Sequence, residues 1–172
     1  YAFFLVVQML ATSARIATPF YILYVGRQIG ADGATLGLLT FAFLGADTAS
    51  NLLWGYLGDK TGFRLVLMIA IAGWVGATIM LLNLHEPAAI FAAFALLGAS
   101  LSGYMMASQT MILEFGSRDD LPMRIAVSAT AESITATAGP LAGGVIAQVF
   151  GYDVVFLASL GFLGAAFVIL VL

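Results

Sequence analysis

Three ionisable residues, Arg15, Asp47 and Glu132, lie inside long apolar segments of this 172-residue sequence. A charge at the centre of a bilayer costs at least ~2.5 to 3.5 kcal/mol, so such residues are candidates for function. Arg15 keeps its proton and needs a counter-ion, and Asp47 is the nearest carboxylate in depth, which predicts an ion pair that either fastens two helices or lines a pathway. Glu132 has no basic partner at its depth, and burial favours a neutral carboxyl that could take up and release a proton.

Each of these residues belongs to a polar helix face, because the polar positions recur every three, four or seven residues. Such faces must contact protein or water rather than lipid. The three predicted faces are Gln8, Thr12 and Arg15; Thr40, Asp47 and Asn51; and Ser128, Glu132 and Thr135. Tyr104 is an aromatic residue that could line a path or simply pack. The predicted substrate or proton pathway is Arg15, Asp47, Asn51, Glu132, Gln8 and Tyr104.

The composition places the chain in a membrane. Hydrophobic residues make up 62% of it and charged residues 9%, whereas soluble domains carry roughly 25% charged residues. The basic residues are too few and scattered for a nucleic-acid surface. The sequence has no cysteine, and its one histidine, His85, falls in a polar connection. These counts exclude thiolate catalysis and disulfides, and we expect no metal, no cofactor and no enzyme activity.

Six apolar segments are long enough to span a bilayer as helices. They are predicted at about residues 2–25, 35–58, 64–83, 88–113, 123–149 and 153–172, which form one domain over residues 1–172. Short connections rich in Gly, Asp, Asn or Pro separate them. The sequence has no initiator Met and begins inside an apolar run, so we expect it to be part of a longer protein.

The basic residues predict the orientation. Lys60 and Arg64 fall in the second connection, and Arg118 and Arg124 fall at the fourth, whereas Arg27 lies at a connection on the opposite side. By the positive-inside rule, the second and fourth connections and both chain ends are expected to be cytoplasmic. The predicted location is therefore an integral position in a cell membrane, most simply a bacterial inner membrane.

The second connection, GYLGDKTGFR, contains more than the orientation rule requires. Gly55 would allow another backbone to come close, and Gly62 would permit a tight turn. Asp59 is predicted to accept hydrogen bonds from free N–H groups at the start of the third membrane helix. A simple helical hairpin could use all of these features.

The whole pattern, Gly55, Leu57, Asp59, Lys60, Gly62 and Arg64, resembles the loop signature G-x-L-x-D-[R/K]-x-G-x-[R/K] of the major facilitator superfamily. That signature lies between the second and third helices of each six-helix half. A second stretch, TAGPLAGGVIA, resembles the family's G-P-x-x-G-G motif in the fifth helix, with Gly139, Pro140, Gly143 and Gly144. From the residue types, Pro140 is expected to bend its helix, and Gly139 and Gly143 form a small-x-x-x-small packing face.

The resemblance implies an all-α membrane protein, six transmembrane helices forming one half of a twelve-helix fold. The fourth helix lacks an Arg near its start, which favours the carboxy-terminal half. In this family the first and fourth helices line the cavity, the second and fifth face the other half, and the third and sixth lie outside. The implied function is half of a secondary active transporter, which moves a small molecule by alternating access. Its partners would be substrate, lipid bilayer and the other half.

The residues leave other functions open. A stand-alone six-helix assembly or interaction subunit would have the same composition. An intramembrane hydrolase is disfavoured because His85 lies in a connection, so that a Ser–His pair cannot form at depth from this chain.

Overall fold

The computed structural model describes residues 2–30, 32–114 and 120–171. Six helices in this part of the chain are long and apolar enough to cross a membrane. The first span consists of α1 (Ala2–Ala14), a 3₁₀ turn (Arg15–Ala17) and α2 (Thr18–Ile29). The other five are α3 (Gly33–Thr61), α4 (Phe63–Asn83), α5 (Pro87–Glu114), α6 (Leu121–Phe150) and α7 (Tyr152–Val171).

The helix ends follow the local sequence. The largest difference from the predicted ends is in the first span, which reaches Ile29 rather than residue 25. Gly26 and Arg27 continue the helix, and Gly30 ends it with a left-handed φ of 57°. Asp32 begins α3, and its side chain accepts a hydrogen bond of 2.9 Å from the backbone N–H of Thr35. A carboxylate at this position satisfies an N–H that has no partner within the helix.

The 3₁₀ turn in the first span has its cause in Pro19. In a continuous α-helix, the carbonyl of Arg15 would accept from the N–H of residue 19, but proline has no N–H. The carbonyl instead accepts from the N–H of Thr18, three residues on. The chain therefore tightens over Arg15–Ala17 and resumes as α2, with the proline in its first turn. This places the one basic residue of the predicted pathway at an irregular point of its span.

The turn between α3 and α4 consists of one residue. Gly62 has a φ of 88°, which residues with a Cβ rarely adopt. Its N–H bonds the carbonyl of Gly58 at 2.8 Å and closes α3. The prediction of a glycine-dependent tight turn is thus met at Gly62.

The core lies around α5. This helix packs against α3 and α4, while α1 packs against α7 and α6, and α4 also contacts α7. The largest fully buried side chains include Trp74, Tyr21, Tyr104 and Phe156. Tyr21 stacks on Phe156 with ring centroids 5.1 Å apart, so aromatic packing joins the first span to α7.

Burial is very uneven among the spans. In its most apolar stretch, α5 has 56% of its residues buried, whereas α3 has 11% and α6 has 6%. The two exposed helices also carry Asp47 and Glu132. Their outward faces therefore remain available to lipid or to another protein surface.

Candidate functional site

A buried polar cluster joins α1, α5 and α6. The hydroxyl of Tyr104 donates to the backbone carbonyl of Gln8 at 3.2 Å and lies 3.1 Å from the hydroxyl of Thr12. The side-chain oxygen of Gln8 accepts from the hydroxyl of Ser128 at 3.0 Å. All four residues are at most 3% exposed. Two of the predicted pathway residues, Gln8 and Tyr104, thus meet in the core.

Arg15 lies beside this cluster and is part-buried. Its Nη1 points at the thioether of Met105, 3.9 Å away, and a thioether is a weak acceptor. The residue borders a cavity of about 360 Å³, whose walls also include Thr12, Thr18, Thr135 and Pro140. The guanidinium of Arg15, the one cationic group of the predicted pathway, therefore lines a cavity between the first span and α6.

The predicted Arg15–Asp47 ion pair is not formed among the described residues. The physical reason is the order of the helices in the bundle, in which α3 packs mainly on α5 and α4. Asp47 is part-buried, and its backbone carbonyl accepts from the amide of Asn51 at 3.0 Å. Asn51 in turn accepts from Ser102 at 2.9 Å, which ties α3 to α5. In this arrangement, Asn51 has a role in packing.

Glu132 is part-buried on α6, one turn beyond Ser128. Its charge and that of Arg15 both act on the hydroxyl of Tyr104. The structure therefore brings Glu132 and Arg15 toward one phenol, although they were expected to act separately. Tyr104 thus lies within electrostatic range of a cation and a carboxyl, and the sequence pattern gave no sign of this arrangement.

Asp59 does not cap the third membrane helix as expected. It lies in the last turns of α3, which continues to Thr61, and the residue that precedes α4 is Gly62, without a side-chain cap. Asp59 is exposed. The carboxylate therefore projects from the end of the hairpin, where it is available to another surface.

The two basic residues of the same connection have different contacts. Lys60 donates to the hydroxyl of Tyr56, and its Nζ lies 4.3 Å from the centroid of that ring. Arg64 donates to the carbonyl of Leu170 through Nε at 3.2 Å and Nη2 at 2.6 Å. Arg64 thus satisfies a carbonyl at the carboxyl end of α7, where a positive charge is also favoured by the helix dipole. Arg118, the third basic residue used for orientation, lies outside the described residues.

Glycine contacts at the hairpin differ from the expectation. A Cβ at Gly55 would meet nothing within 4 Å, whereas one at Gly58 would enter the ring of Phe63. Gly58 occupies a variable position of the loop signature, so the motif did not single it out. The close contact in this chain is therefore made at Gly58, and Gly55 faces open space.

The Gly139–Gly144 segment packs against the 3₁₀ turn. A Cβ at Gly139 would lie 3.8 Å from the Cα of Ile16, and one at Gly143 would lie 2.7 Å from Ile16 Cγ1, while Gly144 has open space around it. Helix α6 is continuous through Pro140. The predicted small-x-x-x-small face is thus used for close packing, and its partner is the irregular part of the first span.

Two further glycines, missed in the sequence, allow α3 to approach α5. A Cβ at Gly98 would collide with the backbone carbonyl of Phe43, and one at Gly103 would lie 2.8 Å from the indole of Trp54. That indole donates to the carbonyl of Ala99 at 2.8 Å. The small residues of GASLSG were a signal for close packing, but nothing in the sequence named the partner helix.

The comparison with protein families agrees with the fold and its motifs. The sequence matches the family model of the Major Facilitator Superfamily over residues 3–172. No curated protein matches the chain. The match covers all six membrane helices and both motif segments, so the family and fold predicted from the residues are confirmed. The chain is an integral membrane protein with a function of the transporter type, and it belongs to the Major Facilitator Superfamily.

Proposed function

We propose that the chain is one half, the carboxy-terminal one, of a secondary active transporter that moves a small molecule by alternating access with proton coupling. The observation that carries this proposal is the exposure of α3 and α6, whose most apolar stretches have 11% and 6% of their residues buried, against 56% for that of α5. These two helices hold Asp47 and Glu132, and carboxylates at membrane depth are costly against lipid. A second six-helix unit covering both faces removes that cost.

The cavity beside Arg15 supports a substrate path at this boundary. It opens between the first span and α6 and has polar walls at Thr12, Arg15 and Thr135. A site at the contact between two halves can be exposed to either side as they rock. The other predicted function, an assembly subunit without transport, gives no role to this cavity.

Glu132 is the proposed proton carrier. It lies three residues before Thr135, a residue of the cavity wall, so a proton gained or lost at Glu132 changes the field at the cavity. Glu132→Gln should abolish proton-driven accumulation in proteoliposomes and leave substrate exchange intact. The matched control is Glu114→Gln, an exposed residue at the end of α5. Proton-driven accumulation retained in the Glu132→Gln protein would exclude Glu132 as the carrier.

Asp59 is the proposed switching residue, because its exposed carboxylate lies at the end of a hairpin far from the cavity. Asp59→Asn should slow transport cycling and keep equilibrium substrate binding within a few fold, and Asp153→Asn, near the start of α7, serves as the control. A large loss of affinity with unchanged cycling would reverse this assignment.

The proposed orientation has the second and fourth connections and both chain ends in the cytoplasm of a bacterial cell. These 172 residues contain no cysteine, so Thr61→Cys, at the exposed end of α3, adds the one labelling site of this half once any cysteine of the other half is replaced. A membrane-impermeant maleimide should react with it only after the cells are opened. Labelling in intact cells would contradict the orientation.

A further inference from the structure

The cavity beside Arg15 has unmet hydrogen-bond donors. The guanidinium has five N–H donors, and its hydrogen-bond contact among the described residues is the weak one to the sulfur of Met105, at 3.9 Å. The hydroxyl oxygen of Thr18, another residue in the cavity wall, is buried without a partner among those residues. Donors outnumber acceptors here. A ligand rich in acceptors, such as a carboxylate, would complete these bonds.

An apolar groove adjoins this cavity. It has a volume of about 470 Å³ and is lined mainly by apolar side chains of α1 and α6, among them Met9, Met123, Val127 and Ile134. Thr135 lines both the groove and the cavity. Met9 and Met123 are exposed, and methionine adapts to ligands of varied shape. The two spaces together offer one cationic end and one long apolar wall.

We propose that this site binds a soluble amphipathic organic carboxylate, with its head at Arg15 and its apolar body along the groove. The inference rests on the proposed function, since it names the substrate class of the same site. Charge complementarity selects the head group, and the groove selects the body. A cationic substrate would meet the repulsion of Arg15, and a small polar anion would leave the groove unfilled.

Glu132 competes with the bound anion in this arrangement. Glu132 lies three residues before Thr135, which lines both the cavity and the groove, so an ionised Glu132 lowers the positive potential that the carboxylate meets. Neutralising Glu132 should therefore strengthen anion binding. Neutralising Arg15 should instead weaken carboxylate binding, so one binding assay distinguishes the roles of the two residues.

The test measures binding of three matched probes to the full-length transporter in detergent by isothermal calorimetry. The probes are 4-phenylbutyrate, its uncharged amide and 4-phenylbutylamine. We expect the carboxylate to bind at least tenfold more tightly than the amide or the amine. Arg15→Gln should remove that preference and leave the affinity for the amide unchanged, so the amide also reports that the variant is folded. Glu132→Gln should tighten carboxylate binding severalfold.

Arg27→Gln is the matched control, since Arg27 lies over the ring of Tyr152, with Cζ 5.1 Å from the centroid, and outside the cavity. It should retain the full preference for the carboxylate. The apolar part is tested with acetate, which lacks the phenyl ring and two of the CH₂ groups; its binding should be weaker by about fourfold for each CH₂ removed from contact, with a further loss for the ring. Met123→Ser should weaken the binding of the carboxylate and of the amide by the same factor.

Equal binding of the amine and the carboxylate would overturn the inference, as would a loss of preference in Arg27→Gln as large as in Arg15→Gln. Stabilisation by phosphatidylglycerol in the micelle, with no binding of the carboxylate, would assign the site to a lipid and also overturn it. Carboxylate binding without any transport in proteoliposomes would support this inference and overturn the proposed function. Transport of a cation without carboxylate binding would support the proposed function and overturn this inference.

Discussion

We predict that Gly143→Ala destabilises the bundle, whereas Gly161→Ala, on the exposed side of α7, does not. A Cβ at position 143 would lie 2.7 Å from Ile16 Cγ1, 2.8 Å from Phe20 Cε2 and 3.0 Å from the carbonyl oxygen of Ile16. The two side chains can rotate, but the carbonyl belongs to the 3₁₀ turn. Helix α6 must therefore move away from the first span by a few tenths of an ångström.

The magnitude follows from two opposing effects. Overpacking of a close contact costs about 1 to 3 kcal/mol, while replacing glycine by alanine in a helix gains about 1 kcal/mol. At Gly161 a Cβ meets nothing within 4 Å, so only the gain applies. The unfolding free energy of Gly143→Ala should therefore be about 1 to 3 kcal/mol lower than that of Gly161→Ala.

The assay is reversible unfolding of the purified protein in mixed micelles by added dodecyl sulfate, followed by circular dichroism. Both variants change one glycine to alanine inside a helix, so their difference isolates the contact with the first span. Stabilities of the two variants within about 0.5 kcal/mol of each other would refute the reasoning, because the overpacking term would then be absent.

Three further predictions concern single contacts. Arg64→Ala removes two hydrogen bonds to the carbonyl of Leu170 and should speed amide hydrogen exchange in the last turn of α7. Arg64→Lys should retain part of the protection from exchange. Equal exchange rates in the unchanged protein and both variants would contradict the capping role of Arg64. Tyr104→Phe removes the hydrogen bonds to Gln8 and Thr12 and should lower the unfolding free energy by about 1 kcal/mol. An unchanged midpoint of unfolding by dodecyl sulfate would contradict this prediction. Hydrogen bonds from the side chain and then the backbone of Thr35 hold the pKa of Asp32 below its ordinary 3.8. The contribution of Asp32 to stability is therefore full above pH 3.8 and is lost as the pH falls through the lowered pKa. Asp32→Asn should remove this loss of stability at acid pH, as measured by melting experiments, and melting temperatures with the same pH dependence in both proteins would refute the prediction.

The spans and their order could be predicted because the bilayer allows few alternatives. A spanning segment must satisfy its own backbone bonds, so length and hydropathy suffice to find α3 to α7. The break at Arg15–Ala17 was not predicted, although it follows from a local cause, the missing N–H of Pro19. Such features depend on neighbours within one turn, and the sequence carries them directly.

Contacts between helices could not be predicted in the same way. Asp47 was assigned to Arg15 because it is the nearest carboxylate in depth, yet α3 packs on α5. Gly58 and Gly98 are close contacts only because Phe63 and Phe43 lie opposite them. Depth along a helix can be counted from the sequence, whereas rotation about its axis is decided by all the neighbours together. The identity of a partner therefore depends on the assembled bundle.

The bond between Gln8 and Ser128 also sets an order of assembly. The two residues are 120 positions apart, and Ser159 donates to the carbonyl of Ala14 across 145 positions. At roughly 5 to 20 residues per second of synthesis, the first span must wait about 6 to 24 s for the Ser128 hydroxyl. During that interval, the side chain of Gln8 lacks its partner from α6. The polar stretch of the first span is thus completed only by helices made later, so the interval between the synthesis of that span and that of α6 is when the span most needs protection.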